Sequence, residues 1–495
     1  MPSQTEVVQH EDRDREIIVE LEETARNQIK TVLLNKLYKQ VKINGDQISF
    51  KALHNAAELG SGIAQYKLGL CYENGLGIDI NLKKAFSWYL MSAKQGHSNA
   101  QYLLAKCYAD DSEEIEKNLP QAFFWLTQAA NQDNANAQYS LGWCYENGEG
   151  IDINLEEAIV WYSRSAKQEN PDAQYNLGLC YEKGIGVEID LQKAFFWYKK
   201  AAKQKHNDGQ YNLGLCYENG LGIAIDLKKA INWYTKAANN GYADAQYKLG
   251  MFYINGNGVE KDLKEAVDWY IKAANQGHAK AQYNLGFCYK NSLGIKKDLE
   301  TAIFWYTQSA NQEYAKAQYS LGFCYQNGLG VKRDRRHTVF LFTKAANQGF
   351  AEAQYSLGIC YQNGLGIKED LETAVFWYTK AARQGHAEAQ SNLGWCYQDA
   401  KGVEQDLQQA YFWFTKAAHQ GHAGATAILV KKYRSNNFSL KKYQPQFTSR
   451  LEDKQKKIKK EKWKDMKVTE AVERNEDMET YEEEENLVIS KLKPS

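Results

Sequence analysis

Ten times along this chain the same phrase returns. Ala64-Gln65-Tyr66 opens it, and its glutamine recurs at Gln101, Gln138, Gln174, Gln210, Gln246, Gln282, Gln318, Gln354 and Gln390. The step is thirty-six residues, and thirty-seven once, between Gln101 and Gln138. A period of that size belongs to small supersecondary units, none of which can bury its apolar face alone. Neighbours must stack, and the product is a solenoid growing in one dimension. Length then ceases to count domains, because 495 residues can form one continuous body.

Charge adds an exclusion. Lysine plus arginine and aspartate plus glutamate are equal at 61 each, which argues against a chain built to coat nucleic acid or an anionic membrane. Residues Met1 to Glu16 are polar, and no later stretch approaches the roughly twenty apolar residues of a membrane span. The expectation is a cytoplasmic protein with no direct membrane insertion. All nine cysteines, Cys71, Cys107, Cys144, Cys180, Cys216, Cys288, Cys324, Cys360 and Cys396, stand six residues after the repeat glutamine, and Phe252 takes the tenth place. They are one position copied. Equivalent positions in stacked helical layers lie on the order of 10 Å apart, beyond the roughly 4.4 to 6.8 Å between Cα atoms that a disulfide needs. Each therefore reads as a reduced, small core residue, and the close pairs of a zinc site never occur.

One unit shows the construction. From Asp172 to Asn207, the residues Ala173, Leu177 and Tyr181 are four apart, with Gly178 and Cys180 beside them, which predicts an amphipathic helix A of about twelve residues. Lys183-Gly184-Ile185-Gly186 ends it, glycine being free to adopt the left-handed conformation that closes a helix. Asp190 then opens helix B. The same place holds Asn81, Asn118, Asn154, Asp226, Asp262, Asp298, Asp334, Asp370 and Asp406, which is N-cap chemistry. Helix B carries Ala194, Trp197, Tyr198 and Ala201 inward. Trp88, Trp125, Trp161, Trp233, Trp269, Trp305, Trp377 and Trp413 share the Trp197 position and read as core between layers. The Gly-x-Gly turns follow a helix, not a strand, and no Lys-Ser or Lys-Thr completes a phosphate loop. His97, His278, His386 and His422, once per repeat in the turn after helix B, read as solvated turn residues.

The pattern Ala-Gln-Tyr-x-Leu-Gly-x-Cys-Tyr, Gly-x-Gly, Asp, Ala-x-x-Trp-Tyr-x-Lys-Ala-Ala resembles the Sel1-like repeat, a relative of the tetratricopeptide repeat. The resemblance implies an all-α fold, an αα-hairpin repeat solenoid wound as a right-handed superhelix that scaffolds protein complexes. It also implies no catalytic residues and no cofactor. Members serve in endoplasmic-reticulum quality control, chitin-synthase activation, signalling and bacterial host interaction, so the fold does not name the job. The cysteine-rich bacterial members pair a helix A cysteine with one in helix B, and helix B here has none. The chain starts without a signal sequence and ends Lys491-Leu492-Lys493-Pro494-Ser495, so the quality-control and prenylated subgroups are not expected.

Resemblance to tetratricopeptide repeats also implies which helix A residues face a concave groove. They are Tyr175, Tyr211, Tyr247, Tyr283, Tyr319 and Tyr355, with Tyr66 and Tyr139 before them. One turn further come Leu179, Leu215, Met251, Phe287, Phe323 and Ile359, flanked by Leu70, Trp143 and Trp395. Glu73, Glu146, Glu182 and Glu218, and then Gln326, Gln362 and Gln398, carry the groove from acidic to neutral. Such a face suits an extended or helical peptide; equally, the same side chains can pack helix A on its neighbours. Two units depart from the pattern. Around Ala105 the glycine is lost and Asp110-Asp111-Ser112-Glu113-Glu114 replaces the glycine turn; elsewhere Lys332, Arg333, Arg335, Arg336 and His337 crowd a loop and Leu341 displaces tryptophan.

The organisation expected is a charged N-terminal segment 1–45 with an amphipathic helix at Ile17 to Val41, and a capping helix in 46–63. Ten repeats over 64–422, a capping helix 423–433 and a charged tail 434–495 follow. The tail holds eight lysines between Lys454 and Lys467, then nine acids between Glu470 and Glu485. The function expected is a non-enzymatic scaffold or adaptor binding protein or peptide partners, with no nucleic acid, no metal and no small-molecule substrate. The alternative is a regulatory subunit or activator of a kinase or membrane-associated synthase, active only in complex.

Overall fold

The computed structural model describes residues 47–111 and 115–433. They hold 22 α-helices and, among the described residues, no strand. The chain divides into two compact units, one ending at Ala353 and the other beginning at Gln354. Within each, every helix packs on the next in sequence, so each unit is an αα-hairpin solenoid. The first described helix of the first unit, Gln47–Glu58, lies within 46–63, and its Leu53, Ala56 and Ala57 are buried against Ala64 and Leu68 of the first repeat. The second unit closes with the helix Ala423–Ile428 and a π-helical turn at Leu429–Tyr433; Ala425 is buried against Phe414. The amphipathic segment Ile17 to Val41, the charged tail and Ser112 to Glu114 lie outside the described residues.

The fourth repeat shows why the chain turns where it does. Helix A is Pro171–Lys183 and helix B is Leu191–Lys203. The Asn170 side chain accepts from the Ala173 amide at 2.9 Å, and Gly184 closes helix A at φ 73. The Asp190 carboxylate accepts from the Lys193 amide at 2.9 Å and opens helix B. All ten Asp or Asn residues expected as helix B caps make this bond. The second glycine of the turn has a different reason. A Cβ on Gly186 would strike the Leu155 carbonyl of the preceding repeat, so its missing side chain lets one hairpin approach the next.

The deepest aromatic ring is not tryptophan. Tyr89, Tyr162, Tyr198, Tyr234, Tyr270, Tyr306 and Tyr378, each directly after the tryptophan, are the largest fully buried side chains, and Phe342 and Phe414 take the same place. Trp161, Trp269 and Trp377 are buried, but Trp88, Trp125, Trp197, Trp233, Trp305 and Trp413 are half-buried, with Lys236 Nζ 3.7 Å from the Trp233 ring centre. Successive helical residues differ by about 100° around the axis, so only one of the pair can point straight at helix A. The tyrosine does, and it rests on the glycine of Leu-Gly: a Cβ on Gly178 would lie 2.6 Å from Tyr198 Cε1.

The repeat glutamine ties three helices together. Gln174 Nε2 donates to the Ala166 carbonyl of the preceding helix B at 3.2 Å, while its Oε1 accepts from Gln204 Nε2, at the end of its own helix B, at 2.9 Å. Gln65, Gln101, Gln138, Gln246, Gln282, Gln318 and Gln390 repeat both bonds with their own equivalents. A buried amide so placed leaves neither its donor nor its acceptor unmatched.

Candidate partner-binding face

The tyrosines expected on the groove are half-buried, and Tyr175, Tyr211, Tyr247, Tyr283, Tyr319 and Tyr355 each lie between two rings of their own repeat. Tyr175 lies 6.0 Å from Tyr198 on helix B and stacks at 5.0 Å on His206 in the following turn. Tyr247 and Tyr355 are held in the same way by Tyr270 and His278 and by Tyr378 and His386. Tyr211, Tyr283 and Tyr319 have Tyr242, Tyr314 and Phe350 in place of histidine. One turn along, Leu179, Leu215, Met251, Phe323 and Ile359 are half-buried, and Trp143 and Trp395 are 42% and 39% exposed. Phe287 differs: at 8% exposure it is already core in the free chain.

The glutamates at the acidic end of the expected groove are bound to the core. Glu73 and Glu146 accept from Tyr89 and Tyr162 hydroxyls at 2.6 Å, and Glu182 and Glu218 accept from Tyr198 and Tyr234. Burial, and then the adjacent carboxylate, hold these hydroxyls protonated far above the usual phenol range. Lys248 Nζ stands 3.0 Å from Glu218 Oε1 and neutralises it further.

The histidines are not solvated turn residues. Nδ1 of His206, His278 and His422 accepts from the amide three residues on at 3.0 Å, and His97 and His386 do the same at 3.3 and 3.2 Å. They cap helix A. Burial holds the pKa of His97 and His386 below the usual imidazole value; Glu388 offsets part of this at His386. The nine cysteines are free thiols, eight buried and Cys107 half-buried. Burial pushes Cys144, Cys180, Cys216 and Cys288 up to about 12, far from the reactive thiolate.

A second apolar row went unread in the sequence. On helix B the residue before the tryptophan faces water: Phe124, Val160, Phe196 and Phe304 are 42% to 51% exposed, and Phe340, before Leu341, is 52% exposed. In the second unit Phe376 and Phe412 are 51% and 46% exposed. The signal was present as Phe-Trp, but a pair of aromatics reads as core until one knows which of the two turns inward. In the eighth repeat Lys332, Arg333, Arg335 and Arg336 are exposed, and His337 packs at 4.5 Å on Tyr325. Among the described residues no group of three His, Cys, Asp or Glu side chains could hold a metal, and no helix is long and apolar enough to cross a membrane.

Helical hairpins of near-constant length, most of them closing helix A on a left-handed glycine and packed in sequence within each unit, define an αα-hairpin repeat protein. The Sel1 repeat pattern matches residues 62–97, 98–134, 135–170, 171–206, 207–242, 243–278, 279–314, 315–350, 351–386 and 387–422, and the chain belongs to the Sel1 repeat family. It is 32% identical to a Sel1 repeat protein of Oxalobacter formigenes, covering 66% of this chain and 98% of that one with a TM-score of 0.51. It is 30% identical to c5321, a protective antigen of uropathogenic Escherichia coli strains, covering 86% of this chain and 99% of that one with a TM-score of 0.47. A sel1-like repeat-containing protein of Acanthamoeba polyphaga mimivirus is 34% identical over 83 residues, which span 16% of each chain. Proteins of this family generally mediate protein–protein interaction and are typically non-enzymatic scaffolds.

Proposed function

We propose that this protein is a non-enzymatic, cytoplasmic scaffold or adaptor that binds partner proteins through the helix A face of its repeats. The supporting observation is a position-matched apolar row held partly in water. In the first unit Leu179, Leu215, Met251 and Phe323 keep part of their surface accessible and Trp143 stands out from their row; in the second, Ile359 and Trp395 hold the matching positions. Large apolar groups kept at the surface gain burial only when a partner covers them, and aromatic ones contribute most. The polar groups beneath the row are meanwhile bonded to one another, as the Tyr–Glu and glutamine pairs are, which leaves the face shaped and rigid before a partner arrives.

The test is a cross-linked pull-down from the native host with Phe323→Ser and Trp395→Ser combined. Helical content by circular dichroism should stay near that of the unaltered chain while partners are lost. A folded double variant that retains every partner would overturn the assignment of this face.

A further inference from the structure

The second repeat lacks the device that fills the helix A–helix B interface elsewhere. In the first, third, fourth and fifth repeats a tyrosine ring lies on a glycine and its hydroxyl bonds to a glutamate one helix away. In the second repeat the three places hold Ala105, Leu126 and Ala109. Ring, hydroxyl and carboxylate are all missing. A cavity of about 320 Å³ opens there, lined by Ala105, Ala109, Ala122 and Leu126 of the second repeat and by Tyr139 and Trp143 of the third. Its charged margin is Asp110 and Glu149, with Lys106 the one cation of the lining. Glu149 stands where the neighbouring turns carry Leu76, Ile185 and Leu221, and Asp110 stands where the first, third and fifth repeats carry Asn74, Asn147 and Asn219.

We propose that this cavity is a docking pocket for one aromatic side chain, tryptophan in particular, flanked by arginine or lysine on a partner protein. The repeats themselves display the kind of group that belongs at this place, since an aromatic ring fills it in each of the four compared. Size agrees: a cavity of about 150 Å³ already holds benzene, so this one admits an indole. The walls are largely apolar, the exposed Trp143 lines them, and two carboxylates against one ammonium favour cationic neighbours. The inference rests on the scaffold reading above and narrows it to one anchor.

Three short peptides serve as probes against the full chain: acetyl-Arg-Trp-Arg-amide, acetyl-Arg-Ala-Arg-amide and acetyl-Glu-Trp-Glu-amide. Ligand-observed NMR titration should give Arg-Trp-Arg at least a tenfold lower Kd than either of the others. The combined variant Ala105→Gly, Ala109→Glu and Leu126→Tyr restores the device found in the other repeats and fills the pocket with the chain's own ring. It should bring the Arg-Trp-Arg to Arg-Ala-Arg ratio to about one, as should the single change Ala109→Phe at the half-buried mouth. Asp110→Lys with Glu149→Lys should abolish the preference for Arg-Trp-Arg over Glu-Trp-Glu. The proposal is overturned by equal binding of the tryptophan and alanine peptides to the unaltered chain, or by an undiminished ratio in a folded filled-pocket variant. Either result leaves the scaffold reading standing, because that depends on the pull-down with Phe323 and Trp395 and on neither peptide.

Discussion

A glutamine that recurs ten times invites a functional explanation, and the bonds of Gln174 give a structural one. Its amide satisfies the Ala166 carbonyl and the Gln204 amide together. Gln174→Ala removes both bonds, but Gln204 is exposed and can turn to water while the Ala166 carbonyl keeps the Glu169 amide, so the cost is that of the lost hydrogen bonds, about 0.5 to 1.5 kcal/mol each. Chemical denaturation should show a loss in that range, and no loss would mean that water replaces the amide. The histidine caps give a pH dependence of definite sign. His97 and His386 accept an amide hydrogen through Nδ1, so a proton there removes the acceptor and sets positive charge against the positive end of a helix. Their folded pKa values lie below the ordinary 6.5, so the unfolded chain takes the proton first. Their stabilising contribution is therefore complete above 6.5 and is lost as pH falls through 6.5 toward the lower folded values. Asn134 and Asn170 occupy the same cap position without titrating in this range. His97→Asn with His386→Asn should therefore flatten the fall in Tm between pH 7.5 and 5.5, and an unchanged slope would assign that fall to other groups.

Helix boundaries were legible in the sequence because their causes are local. Asp190 and Gly184 each act within one turn of the backbone, and both ends of the hairpin appear where those residues predict. The contact between helices was less legible, because it depends on which of two adjacent aromatics faces inward, and Trp197 and Tyr198 are equally apolar to a periodicity argument. The groove tyrosines were hard to assign for the same reason: Tyr175 owes its placement to Tyr198 and to His206, more than twenty and thirty residues away. The second repeat offers a natural experiment on this contact, since Ala105 replaces the glycine where Leu126 replaces the tyrosine. The two changes should compensate. Gly178→Ala alone drives a methyl into the Tyr198 ring and should cost about 1 to 3 kcal/mol. Tyr198→Leu alone opens space and deprives Glu182 of its hydroxyl donor. Combined, the substitutions should destabilise less than the sum, with a coupling of about 1 kcal/mol or more in a double-mutant cycle. Strict additivity would show that ring and glycine do not sense each other.

At the scale of a whole unit, stability is a chain of nearest-neighbour terms, because among the described residues the main contacts of each hairpin are with the one before and the one after. That makes the effect of a core substitution spatially bounded, in contrast to a globular domain whose single core fails together. Tyr234 is the appropriate place to test it. Its ring is fully buried, meets Gly214 and Phe252, and lies in one apolar cluster with Tyr198 of the repeat before and Leu249 of the repeat after. Trp233 beside it is half in water under Lys236 and is the weaker probe. Tyr234→Ala should cost about 3 to 5 kcal/mol, the transfer energy of the ring together with that of the cavity left behind. The loss should fall on the interfaces of the fifth repeat, so amide hydrogen exchange should quicken first across residues 171–278, the fourth to sixth repeats. Protection in 62–97, three repeats away, should hold near its original level until denaturant is added. Exchange that rises equally in the first and fifth repeats would show that the unit unfolds as one cooperative body, and that its linear construction does not govern its stability.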